Sequence, residues 1–213
     1  MDKNKNYLEK WSRWVDSMHK DVEKILTNRM FYQKYIEIVK NNEDIQSPSD
    51  FHLWIRENYV TSIVTAIRRQ IDTRTDVVST ARLLIEIKDH SQILTRDWYK
   101  VLHDYDWADA DFTNVAGEGN YFDKGIAEND LKELAELGKD IKKYANTYVT
   151  HKSKGEMAKL PTFNDVDKFI DKLEEIMKKY ILLFTASGYA ELLPTWQYDW
   201  EEIFTKKWIK DNQ

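Results

Sequence analysis

An all-α fold is predicted by three features of the sequence. Only six glycines and three prolines occur in 213 residues, so chain breakers are scarce. Lys, Glu, Leu, Ile and Ala are abundant, a composition that suits long helices better than strands. Apolar residues recur at spacings of three and four along most of the chain, which is the period of a helix. A chain of this length can bury a substantial core without a staple, as one domain over residues 1–213 or as two intimately packed helical halves.

The first element follows from Leu8, Trp11, Val15, Met18, Val22, Ile25 and Leu26, continued by Phe31, Tyr35, Ile38 and Val39. This pattern predicts a long N-terminal helix with a break near Asn28. Pro48 and Ser49 supply a start signal, with Ser49 as N-cap, for a second helix carrying Leu53, Trp54, Val60, Val64 and Ile67. A third is expected over 77–88 and a fourth over 95–105, capped by Thr95. Three of the six glycines fall within 112–125, which marks that stretch as a loop. A fifth helix is expected over 128–151, with Leu131, Leu134, Leu137, Ile141, Tyr144 and Tyr148 on its apolar face. Pro161 and Thr162 precede a sixth, in which Val166, Phe169, Ile170, Leu173, Ile176, Met177, Tyr180, Ile181 and Phe184 repeat. A tail rich in tryptophan (Trp196, Trp200, Trp208) follows Gly188 and Pro194.

A net charge of −5 argues against a general, charge-driven nucleic-acid binder. Zero cysteines exclude disulfides, thiol catalysis and cysteine-ligated zinc. The polar N-terminus and the lack of any apolar run near 18 residues predict no secretion signal and no membrane span, and hence a cytoplasmic protein. Charge is unevenly placed. Residues 139–159 hold six lysines against two carboxylates, whereas 104–130 hold eight carboxylates and one lysine.

The basic stretch carries the chemistry. On an α-helix, Lys143, Thr147 and His151 would follow one line at i, i+4 and i+8, with Asn146 beside it and Lys142 and Lys152 nearby. An imidazole moves a proton near neutral pH, while amines and an amide stabilise charge on phosphate oxygens. That set suits binding or cleaving a phosphodiester. The bland alternative is that His151 ends a helix, where a cation favours the dipole, and that Asn146 is a surface amide.

A second polar concentration comprises Arg68, Arg69, Asp72, Arg74, Arg82, Glu86 and Arg96. Helical spacing would pair Asp72 with Arg68 and Glu86 with Arg82, giving a salt-bridge network. Alternatively Arg68 and Arg69 extend the Lys143–His151 patch as a phosphate groove, since guanidinium binds phosphate bidentately. Asp104, Asp106, Asp109 and Asp111 lack the register of an EF-hand and are expected to form an acidic loop. His19, His52, His90 and His103 lack zinc spacing, and neither a metal site nor a cofactor is implied. Trp11, Trp14, Trp54 and Trp98 lie on or near apolar stripes and are expected in the core. Trp107, Trp196, Trp200 and Trp208 suit packing of the tail, with dimer contact or base stacking as alternatives.

Three segments carry a family resemblance: Ala66-Ile67-Arg68-Arg69-Gln70-Ile71-Asp72; residues 79–87 with Leu94-Thr95-Arg96; and Lys143-Tyr144-Ala145-Asn146 with His151. Over most of its length the chain resembles the AbiU-type branch of the HEPN superfamily. The resemblance implies a HEPN-like helical bundle, here with an extra N-terminal helix and the Trp-rich tail, and a homodimer. Many HEPN proteins are metal-independent ribonucleases of toxin–antitoxin, abortive-infection and other antiviral systems. Their hallmark is an arginine, often followed by a polar residue, with a histidine four to six residues on. Asn146 and His151 match the last two positions, and Ala145 occupies that of the arginine. Two functions follow as expectations. One is an endoribonuclease acting on RNA, held by an antitoxin or switched on by an activating protein. The other is a non-catalytic helical dimer that acts as an interaction or RNA-binding protein.

Overall fold

Hydroxyl side chains start four of the helices. In the computed structural model, which describes residues 3–150, 157 and 159–208, Ser49 accepts from the Phe51 N–H at the head of α2 (Asp50–Gln70). Ser79 accepts from Arg82 N–H ahead of α3 (Thr80–Asp89), and Thr95 from Trp98 N–H ahead of α4 (Arg96–Leu102). Thr162 and Asp165 close a capping box on α7 (Phe163–Thr185). These side chains satisfy amide groups that a helix cannot pair internally.

The remaining helices are α1 (Lys3–Asn41), α5 (Ala108–Ala116), α6 (Lys124–Tyr144) and α8 (Glu202–Thr205). No strand occurs among the described residues, and an isolated bridge joins Thr95 to Tyr121. The fold is therefore an all-α bundle, and no helix among the described residues is long and apolar enough to cross a membrane. α7 lies against α1, α5 and α6, and α6 also packs on α2 and α3. Trp11, Val15, Met18 and Val22 of α1 and Phe169, Ile170, Leu173, Ile176 and Met177 of α7 are all essentially inaccessible.

Several expectations are corrected. α1 runs unbroken through Asn28, whose amide donates to Ser62 Oγ of α2 at 2.9 Å. The segment read as a loop contains the end of α5: Phe112, Val115 and Ala116 are buried at helical spacing. The acidic run is partly helical too. Asp109 and Asp111 sit in the first turn of α5, where carboxylates favour the dipole, and Asp109 pairs with Arg96 at 3.2 Å. Trp54, expected in the core, is 58% exposed and stacks on the likewise exposed Phe51. Trp14 and Trp98 pack partly buried against the core. In the tail, Trp196 and Trp200 cover Phe31 of α1, whereas Trp107 and Trp208 are exposed.

Two buried titratable groups, Glu86 and His103, find partners. Glu86 of α3 accepts from Trp11 Nε1–H at 2.9 Å and from Arg82 at 3.1 Å, and pairs with Lys10. Burial pushes its carboxyl up, but the bonds from Lys10 and Trp11 outweigh this and hold it below the usual range. His103 lies edge-on to Tyr99 and bonds the Leu183 carbonyl at 3.3 Å. Burial depresses its pKa, against weaker opposing pulls from Leu183 and Asp111. The unfolded chain therefore takes up the His103 proton first. Stability from this group is complete above about pH 6.5 and declines as acid is added. Urea titrations between about pH 5 and 8 will show this decline, and His103→Gln will flatten it.

Candidate functional site

The α-helical register of α6 ends at Tyr144, and the next six residues form a π turn (Ala145–Thr150) with i→i+5 bonding. The line through Lys143, Thr147 and His151 assumed 100° per residue, so it does not continue past Ala145. Such turns are frequent at functional sites because they re-aim side chains. Ala145 itself is 1% exposed and belongs to the core, and the turn packs against α2.

The docking of α6 on its neighbours is close. A Cβ added at Gly138 would stand 2.8 Å from Ile71 Cδ1 and 3.0 Å from the Phe169 ring. Glycine thus lets α6 approach the C-terminal end of α2, where Arg68 projects.

There Arg68 Nε–H donates to Asn146 Oδ1 at 2.5 Å, across 78 positions of sequence. Only the amide oxygen can accept from a guanidinium, so the bond fixes the orientation of the amide. What remains on offer is the Asn146 amino group and the two terminal amino groups of Arg68, which make no other hydrogen bond among the described residues. Every one of these groups is a donor. The pair presents a half-buried, donor-rich surface suited to an anion.

The other predicted residues divide. Lys143 is exposed one position before Tyr144, and Lys142 is half-buried. Asp72 bonds Arg74 instead of Arg68, with 3.0 Å between charges. The Arg74 guanidinium holds the Asp72 carboxyl below its ordinary range, and the Lys142 ammonium adds to the pull. Arg69 turns to α1 and pairs with Asp21 at 2.8 Å, whereas Arg68 turns to Asn146. His151 and Lys152 lie outside the described residues. Among the described residues no three His, Cys, Asp or Glu side chains gather as a metal site would need.

Sequence reasoning had not found the cleft beside this pair. It encloses about 770 Å³ between α2, the π turn and the start of α7, with Val60, Val64, Tyr144, Tyr148 and Phe163 among its walls. The apolar spacing that betrayed these residues is the same spacing that builds a core, which is why they were not singled out.

The family model for HEPN AbiU2 matches residues 8–203. The chain belongs to the HEPN AbiU2 family. Neither curated proteins nor solved structures gave a match. In this AbiU2-family chain the match spans α1 to α8, so it includes both helices that bring Arg68 and Asn146 together.

Proposed function

We propose that this AbiU2-family protein is a metal-independent endoribonuclease of phage defence, as an abortive-infection or toxin–antitoxin effector. One observation carries the reading: Arg68 of α2 brings a guanidinium to Asn146 although Ala145 occupies the motif's arginine position. The cation that the local sequence lacks is supplied from another helix.

In the proposed reaction His151 takes the proton of a ribose 2′-hydroxyl, and the 2′-oxygen forms a bond to phosphorus. The bond from phosphorus to the 5′-oxygen breaks, and an imidazolium returns a proton to that oxygen. The products are a 2′,3′-cyclic phosphate and a 5′-hydroxyl. Arg68 and Asn146 donate to the non-bridging oxygens as their charge grows, and Lys143 and Lys142 raise the local positive potential. In a homodimer two copies of His151 would supply the acid and the base. An antitoxin or an activating protein would act on the same surface.

Ala145 favours a second reading, in which the chain binds RNA or a protein partner without cleaving. The deciding experiment incubates the purified protein with total RNA and a tRNA pool in EDTA, alongside His151→Ala and Asn146→Ala. Cleavage with cyclic-phosphate ends, lost in both variants, is the expected result. Intact RNA, or cleavage indifferent to His151→Ala, would overturn it in favour of the binding protein.

A further inference from the structure

Arg56, Val60, Val64 and Arg68 recur at intervals of four along α2, each step drifting by about 40°, so they wind across one broad face of that helix with the two arginines at its edges. Arg56, Val60 and Val64 line the 770 Å³ cleft, and Arg68 stands one turn further on, about 6 Å along the axis from Val64. The cleft floor is therefore apolar between two arginines whose backbone positions are separated by roughly 18 Å of helix rise. Arg56 is exposed and makes no ion pair among the described residues.

The opposite walls are aromatic. Tyr144 and Tyr148 come from the two sides of Asn146, with ring centres 5.2 Å apart, and Phe163 enters from the head of α7. Tyr148 and Phe163 are each more than two-fifths exposed, so part of each ring is open to a ligand. Glu57 stands on the rim, where a carboxylate can accept from the exocyclic amino group of a base.

Cation, apolar floor with aromatic walls, cation: this is the alternation of anionic phosphate and flat base along a single strand. We propose that the cleft seats a short run of unpaired bases of single-stranded RNA, with the phosphates at its two ends on Arg68 and Arg56. The proposal rests on the ribonuclease reading for its choice of RNA, and it adds a base-binding subsite next to the reacting phosphate.

The test uses the full chain and a 2′-O-methyl hexanucleotide, which cannot be cleaved because its 2′-oxygens are blocked. A matched oligonucleotide with abasic central positions serves as the comparison. The intact strand should bind about tenfold more tightly than the abasic one, the scale of a stacked base. Thr61→Trp, which fills the rim from an exposed position, and Tyr148→Leu, which removes a ring face, should each erase that difference. Equal affinity for both strands, no binding of either, or a preference that survives both variants overturns the base seat. Base-dependent binding without any RNA cleavage would instead defeat the ribonuclease and leave the seat standing. Cleavage without base-dependent binding would do the reverse.

Discussion

Replacing Arg68 by alanine should lower RNA cleavage by about 10²- to 10³-fold, the usual cost of removing one donor from a developing oxyanion. Two losses combine in that figure. The terminal amino groups no longer meet the phosphate, and Asn146 loses the bond that orients its amide. Arg68→Lys keeps the charge but not the fork, since an ammonium cannot serve Asn146 and a phosphate with fixed geometry. It should recover only a small part of the rate. The fall should appear in kcat as well as in kcat/KM, because the contact strengthens as charge builds in the transition state. The pH profile should keep its shape, as that belongs to the imidazole. Arg68 is half-buried, so unfolding should shift by no more than about 1–2 kcal/mol, and a melting curve separates the two effects. An Arg68→Ala enzyme as fast as the parent would remove the guanidinium from the mechanism.

Restoring the family's motif on paper should destabilise the protein. Ala145→Arg recreates the run of arginine, asparagine and histidine, yet Ala145 is buried in the core at the first residue of the π turn. Its N–H is bonded to the carbonyls of Ile141 and Lys142, so the backbone cannot swing out without losing the end of α6. A long side chain there overpacks the contact with α2 and buries a charge without a carboxylate partner. Together these should cost more than about 3 kcal/mol and lower the melting temperature by roughly 6 °C or more. Circular dichroism melts of the two proteins are enough to check it. A well-folded Ala145→Arg protein that cleaves RNA faster than the parent would show that the alanine is a lost arginine and not a packed contact.

These two variants also mark the boundary between what sequence displays and what only the tertiary structure holds. The caps at Ser49 and Thr95 were legible because an oxygen acceptor just ahead of a periodic run has one local use. The short helix α5 was obscured by the glycines beyond it, although Phe112, Val115 and Ala116 carried the right spacing. Asp72 was paired with Arg68 by counting four residues, but α2 stops at Gln70, and beyond a helix end that count has no geometric meaning. The switch from α to π at Ala145 has no clear residue signature, so a line drawn at 100° per residue misplaced Thr147. Arg68 and Asn146 were each singled out by side-chain chemistry. Their partnership was not visible, since it depends on how α6 docks against α2 around Gly138.

The packing of α1 against α7 governs how the protein can be made. The apolar stripe of α1, Trp11 to Leu26, is covered by residues of α7 that leave the ribosome well over a hundred positions later. At about 5–20 residues per second, the nascent first helix waits on the order of ten seconds for its partner. The stripe is therefore a natural substrate for a chaperone during synthesis. Arg68 likewise waits for Asn146, which is made 78 positions later, so their bond forms only after α1 to α6 have been synthesised.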